Sequence, residues 1–366
     1  MPDYDVIIVG GGLMGIAIAY GLVCSGQRTV VIDEGDQAFR AARGNFGLIW
    51  VQGKGVDSPD YADWTRRSAD SWSEFNQNLE SVSGIDTGYS RPGGIDFCLT
   101  GEEFQSRANI IARLIKNSLG AFQGEMLDRE ALIDRLPGLG DGVVGASFSP
   151  MDGHVNPLRL LRALHAGFKR SGGVLRIDTV VDLACRESVF EVKTEQGCLS
   201  AGKIVLAAGL GNRKLAPKLG LSVPVRPQRG QILVTERLAP FLDYPTSIVR
   251  QTQEGSVLLG DSHEEVGFDD GTSLKVMADI AHRARSIFPH LARARLVRAW
   301  GALRILSADG LPIYDQSTQY PGAFAASSHS GVTLAAVHVE DFARYVTAGE
   351  LPVQLKSLSE RRFHVH

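Results

Sequence analysis

The sequence predicts an α/β protein with a second, α+β domain, on three observations. The chain opens with a complete strand, glycine turn, helix, strand and acid unit. A later run, Ile204-Val205-Leu206-Ala207-Ala208-Gly209, is continuously apolar and ends in glycine, the pattern of a buried parallel strand. Strand-like segments at 230–235 and 256–259 belong to another sheet.

In the opening unit, Asp5-Val6-Ile7-Ile8-Val9 passes directly into Gly10-Gly11-Gly12-Leu13-Met14-Gly15. An apolar helix follows over 16–23, then the strand Thr29-Val30-Val31-Ile32 ending in Asp33-Glu34. Each glycine has a separate task. Gly10 permits the tight turn, Gly12 lets a pyrophosphate approach the backbone, and Gly15 lets the helix lie close to the sheet. The helix N-terminus turns free N–H groups and the positive dipole end toward the phosphates. Asp33 lies roughly 20 residues beyond the glycines, where a carboxylate meets a ribose hydroxyl. Glu34 would point to the other face of the strand, and Asp33 is the preferred acid because it directly follows the apolar run. The unit is Rossmann-like and predicts a bound dinucleotide.

A polar loop with Arg40, Arg43, Gly44 and Asn45 comes next, then the glycine-broken apolar segment 46–55. Residues 61–79 read as a helix with Ser58-Pro59 near its start. A strand at 94–99 and a helix at 102–119 follow, and 151–157 leads into a helix over 158–170. Strands are expected at 174–177, 179–183, 190–194, 300–306 and 324–327, and a last helix at 332–345. This order implies a discontinuous architecture. Residues 1–84, 151–216 and 301–366 form the dinucleotide domain; 85–150 and 217–300 form a mostly antiparallel substrate domain.

With 366 residues the chain is longer than a single core usually supports, so about two domains are expected. Hydrophobic content of 44% with 22% charged residues is that of a globular protein. A formal charge of −3 gives no electrostatic reason to expect nucleic acid. Cys24, Cys98, Cys185 and Cys198 have no CxxC spacing, which argues against zinc, a cluster held by this chain alone, or a disulfide framework, and fits reduced thiols in the cytoplasm. No metal site is expected. No signal peptide is read before the first strand, and 7–23 is broken by glycines, so it reads as strand plus helix instead of a span. Membrane attachment would come through a partner.

Seven motifs follow in order: the glycine turn, Thr179-x-Val181, Val205 to Gly209, Pro224-x-x-Pro227-Gln228-Arg229-Gly230-Gln231, Trp300-Gly301-Ala302-Leu303-Arg304, Asp309 to Ile313, and Ser328-His329-Ser330-Gly331-Val332-Thr333-Leu334-Ala335. With them the whole chain resembles the D-amino-acid-oxidase-like, or glycine-oxidase-like, FAD-dependent amine oxidoreductases. The resemblance implies non-covalent FAD and an activity on CH–NH donors. Val181 contacts the adenine through its backbone; Ala208 and Gly209 lie near the pyrophosphate and ribityl chain. Arg43, Gly44, Asn45, Gly47 and Leu48 pass close to the flavin, with Gly301 nearby. Ser330, Gly331, Val332 and Thr333 approach its pyrimidine edge. Arg304 matches the arginine that pairs with the substrate carboxylate, a role its planar fork suits; a structural salt bridge is the alternative.

Segments 44–55 and 329–334 are similar to β subunits of multi-subunit amine dehydrogenases, a group that takes in octopine and nopaline (opine) oxidases, D-hydroxyproline dehydrogenase and hydrogen cyanide synthase. That implies α- and γ-type redox partner subunits, with FMN and an iron–sulfur cluster held with or in them, and electrons passed onward instead of to oxygen. Three departures from the free-standing oxidases stand out. The segment after His329 is about two residues shorter, so a second carboxylate-binding arginine has no counterpart. No cysteine follows Cys198, so a flavin thioether cannot form. Segment 250–270 lacks the lysine placed over the flavin for oxygen, which favours a dehydrogenase.

The expected chemistry is hydride removal from the carbon alpha to an amine, then imine hydrolysis. Arg304 clamps the carboxylate, and His329 or His263 assists proton movement, with a packing or loop role the alternative for each. Trp50 lines the pocket or packs the core. Arg250, Arg91 and Glu254 either meet the extra charged arms of an opine or are solvated loop charges. Competing readings are a glycine or D-amino-acid oxidase making peroxide, a non-catalytic flavin relay subunit, and a nicotinamide-dependent dehydrogenase.

Overall fold

The computed structural model describes residues 2–35 and 41–364; Arg40 of the polar loop lies outside them. The first strand, Tyr4–Val9, is the middle of an eight-stranded sheet. It pairs in parallel with Thr29–Asp33 on one side and Gly197–Leu206 on the other. Val6, Ile7 and Ile8 are fully buried, which is why the strand is apolar on both faces. Val174–Ile177 extends the sheet beyond Thr29–Asp33, and Ala323–Ser327 with Ile313–Gln316 extends the other edge.

The helix Leu13–Cys24 is buried from Leu13 through Leu22. It is covered by the helix Pro157–Arg170 and by the C-terminal helical stretch from Ala335 to Ala348. Two glycines permit this packing. Gly10 has φ +106°, and a Cβ there would lie 2.5 Å from Ala207 O; a Cβ on Gly15 would lie 2.0 Å from Gly10 O.

A four-stranded antiparallel sheet is built from Arg226–Arg237, Val249–Gln251, Ser256–Leu259 and Leu296–Leu306. Arg226 pairs with Leu306 and Thr235 with Leu296, so the last strand runs across the expected boundary at 300/301. A three-stranded sheet of Gly94–Cys98, Glu125–Asp128 and Gly145–Ser149 shares a separate apolar cluster with it. The two short strands Glu125–Asp128 and Gly145–Ser149 are additions to the sequence expectation. So is the helix Leu274–Ile287, which buries only Ile280, Ala284 and Ile287, too thin an apolar stripe to stand out. The last helix contains a π segment, His338–Phe342, between Ala335–Val337 and Ala343–Ala348. Among the described residues no helix is long and apolar enough to cross a membrane.

Candidate active site

Where the glycine turn meets the helix, the backbone is ready for phosphate. Gly12 is the N-cap of Leu13–Cys24 and no side chain caps it. A Cβ on Gly12 would meet nothing within 4 Å, whereas those on Gly10 and Gly15 would collide with backbone. The space beside Gly12 is therefore open, and the first-turn N–H groups point at it. Asp33 holds the turn: its carboxylate accepts from Gly11 N at 2.6 Å and from Gly35 N at 2.9 Å. Glu34 is exposed. Ile177 pairs with Asp33 and Asp178 N donates to Asp33 O at 2.9 Å, so the segment leading into Thr179 starts next to the acid. Leu13 and Met14 are buried, and the Cβ position of Gly331 lies 3.6 Å from Leu13 Cβ, so the 330–333 turn abuts the helix start. Ala208 N is held by Asn212 Oδ1, and Gly209 has φ +58°. These features fit the diphosphate and ribose of FAD.

A cleft of ≈ 270 Å³ opens next to this wall. Widely separated segments meet in it, bringing Asn45, Lys54, Asp261, Arg304, His329 and Thr333 to one cavity. Gly44 is required by close approach, because its Cβ would lie 2.0 Å from Ala302 Cβ. Asn45 Oδ1 accepts from Gly47 N at 2.7 Å, and Gly47, with φ +90°, would push a Cβ to 2.3 Å from Val155 O. Thr333 Oγ1 accepts from Trp50 N at 3.1 Å and lies 3.3 Å from Leu48 O, so it ties the two cleft-lining stretches together. Trp50 both lines the cleft and packs in the core.

The charged side is centred on Arg304, whose Nη1 donates to Ser262 O at 2.7 Å and whose Nη2 pairs with Asp261. Burial pushes the Asp261 carboxyl up, but the hydrogen bond from His263 and the Arg304 charge prevail and hold it below its ordinary value. Lys54 Nζ lies 3.0 Å from His329 Nε2. Burial, then the Arg304 cation, lowers Lys54 to about 8, against the opposing pull of Asp261 and Asp152. The Lys54 charge first, then burial and Arg304, hold His329 well below its ordinary value, so its imidazole is neutral. Ser330 Oγ sits 3.4 Å from His329 Nε2 and 2.9 Å from the buried Tyr61 OH.

Several expected residues fall elsewhere. His263 is exposed at the cleft's edge, bridging Gln228 and Asp261 with its two ring nitrogens. Arg43 is exposed on the turn Ala41–Gly44. Gly301 meets the 270–271 backbone, where its Cβ would lie 2.3 Å from Gly271 O; that contact accounts for a glycine there. Arg250 is not a solvated loop charge: it is buried beneath Gly47, with Nη1 3.4 Å from His154 Nδ1, and burial lowers it to about 10. Arg91 pairs with Asp70, and Glu254 with Arg159.

Lys54 and Asp261 were missed from the sequence. The signal for Lys54 was its place between Gly53 and Gly55, both at positive φ, in a turn that projects the side chain. Segment 250–270 has no lysine, and the lysine of the cleft, Lys54, comes from elsewhere in the chain. Asp152 pins the Lys54 turn by accepting from Val51 N at 2.5 Å, Gln52 N at 3.3 Å and Gln52 Nε2 at 2.6 Å. Its burial raises it to about 7.

The chain is similar to known proteins along its length. It is 43% identical over 366 residues to the B-type subunit of opine oxidase from Agrobacterium tumefaciens (strain Ach5), covering 100% of this chain and 99% of that one. It is 40% identical over 365 residues to the same-named protein of Rhizobium meliloti, covering 99% and 98%. The crystal structure of glycine oxidase from Geobacillus kaustophilus superposes with a TM-score of 0.89 at 25% identity, covering 98% of each chain. The family of FAD-dependent oxidoreductases abbreviated DAO matches residues 5–344. Because that match runs from the first strand to residue 344, it takes in the glycine turn and every segment that lines the cleft, and the chain belongs to this family of flavoenzymes that oxidise C–N bonds.

Proposed function

We propose that the chain oxidises the C–N bond of a carboxylate-bearing secondary amine of the opine type, such as octopine or nopaline, as the catalytic β subunit of a hetero-oligomeric dehydrogenase. The 43% identity to an opine oxidase subunit, end to end, carries this reading. The position of Arg304 in the cleft supports it. A guanidinium grips a carboxylate through two parallel hydrogen bonds, which fixes the adjoining C–H bond in direction.

FAD, when bound, supplies the hydride acceptor. The residues that would hold it are Gly10, Gly12, Leu13, Met14, Gly15 and Asp33 at the diphosphate and ribose. Val181 with Ala208 and Gly209 would serve the adenine and ribityl ends, and Gly44, Asn45, Leu48 and 330–333 the ring. Arg304 orients the substrate and exchanges its Asp261 contact for the incoming carboxylate. Trp50, Ile232 and Val332 keep the cleft's apolar side dry. Once the imine has formed, water adds to it and the C–N bond breaks to give an amine and an oxo acid. Companion subunits, with FMN and an iron–sulfur cluster, take the electrons onward.

The test uses the protein purified with its companion subunits. It is yellow, and octopine or nopaline bleaches it without oxygen. Arg304→Ala keeps the flavin but weakens apparent substrate affinity about 100-fold. Kinetics unchanged in that variant remove the clamp. The similarity to glycine oxidase favours one second reading, a free-standing oxidase; peroxide formed under air at the rate of amine loss would select it.

A further inference from the structure

We propose that Lys54, hydrogen-bonded to His329, is the base that takes the proton from the substrate's ammonium group in the cleft. This rests on the amine-oxidation reading above and adds a residue to it. An amine enters such a site mostly protonated near neutral pH, and an ammonium nitrogen has no lone pair with which to form the C=N bond. A proton must leave before hydride can.

The geometry points to Lys54 as the acceptor. Lys54 lines the cleft that Arg304 also lines, and its Nζ is 3.0 Å from His329 Nε2. Two bases at that separation, both facing the Arg304 cation, do not hold two extra protons. The groups around the pair are Arg304 on the strand Leu296–Leu306, Asp261 and His263 on the loop that follows Ser256–Leu259, and Asp152 beneath the Lys54 turn. Asp261 is already paired with Arg304 and His263, and Asp152 does not line the cleft. Among the described residues of the cleft, the lysine amine is thus the group free to gain a proton, and burial with Arg304 brings it to about 8. His329 stays neutral and accepts from the lysine when Lys54 is charged, with Ser330 and Tyr61 continuing the chain inward.

The step balances. The ammonium N–H bond breaks with its electron pair left on nitrogen, and the proton bonds to Lys54 Nζ. The freed pair forms the C=N bond as the α-carbon's hydride passes to FAD, the two-electron oxidant. The proton returns to water when Lys54 is exposed to solvent after product leaves.

The test measures anaerobic flavin reduction by octopine from pH 6 to 10 in the assembled, FAD-loaded enzyme, in wild type, Lys54→Met and His329→Gln. The wild-type rate rises with pH through an inflection near 8. In Lys54→Met that inflection disappears and the rate at pH 8.5 falls about 100-fold. In His329→Gln an inflection persists. A Lys54→Met profile that keeps the wild-type inflection, or falls equally at every pH, overturns the proposal. A second readout needs no turnover. By histidine ¹⁵N NMR, His329 stays neutral well below pH 6.5 in wild type and titrates closer to 6.5 in Lys54→Met; identical titration overturns the pairing. If octopine fails to bleach the wild-type flavin, the opine reading falls, and the same profiles taken with sarcosine or glycine, together with the NMR, still decide on Lys54.

Discussion

The two parts of the site, the glycine turn and the charged cleft beside it, are made in opposite ways. The glycine-turn wall comes from one continuous stretch, residues 5–33, and does its work with backbone: open space at Gly12, uncapped N–H groups, and one acid. The charged wall comes from scattered segments and does its work with side chains: Arg304 pairs with Asp261, burial and the Arg304 charge lower Lys54, and the Lys54 charge lowers His329. Backbone chemistry of this kind tolerates no added atoms at its contact points. Side-chain electrostatics tolerates substitution in the fold but shifts in pH response.

The sharpest break between the walls, and the largest effect, comes from two neighbouring glycines of the turn. Gly15→Val drives a side chain into Gly10 O and is expected to destabilise the protein by about 3 kcal/mol or more, seen as loss of soluble, cooperatively melting protein. Gly12→Val meets nothing in the fold, and Gly12 has an extended backbone, φ −69° and ψ 179°, that valine adopts readily. It should fold with a near-wild-type melting temperature and come out colourless. A yellow Gly12→Val protein would show that no diphosphate passes there.

Asp152→Asn sharpens the comparison from the other side. Burial raises Asp152 from 3.8 to about 7, so between those values the native state carries a proton that the unfolded chain does not. Its contribution to stability is therefore full below about 4 and is lost as pH rises toward 7. Asparagine has no such proton, so the variant's melting temperature should fall less steeply from pH 5 to 7.5 than the wild type's. Parallel melting curves across that range would show that Asp152 is ionised throughout.

The smallest effect is expected at His263. It is exposed and reaches the cleft by bracing Asp261 and, more weakly, through its charge on His329. His263→Ala should change apparent substrate affinity by roughly two- to fivefold with the flavin retained. A loss as large as that of Arg304→Ala would restore His263 to the catalytic set.

Much of the fold was legible because its signals are local. The parallel strands are apolar on both faces, and the helices 59–83 and 157–170 carry Pro near their starts, with Gly84 at a left-handed C-terminus of the first and the Asn156 cap on the second. Leu274–Ile287 escaped notice because it buries so few apolar residues. In the site, Arg304 was legible within a motif, while Asp261 sits in an exposed polar loop that resembles any other until the strand pairing brings it to Arg304. Arg250 looked like a surface charge because charge in a sequence reads as exposure, and only packing beneath Gly47 reveals it as buried.

The amino-acid order alone determined the dinucleotide wall, since turn, helix start and acid are spaced within one βαβ unit whose geometry is short-range. It also determined the need for glycine at positions 10 and 15. Which side chains face the substrate, and with what charge, was decided by the tertiary structure. Lys54 and His329 are 275 positions apart, and Arg304 and Asp261 are 43 apart; their protonation depends on distance and burial, neither of which exists until the chain has closed around the cleft.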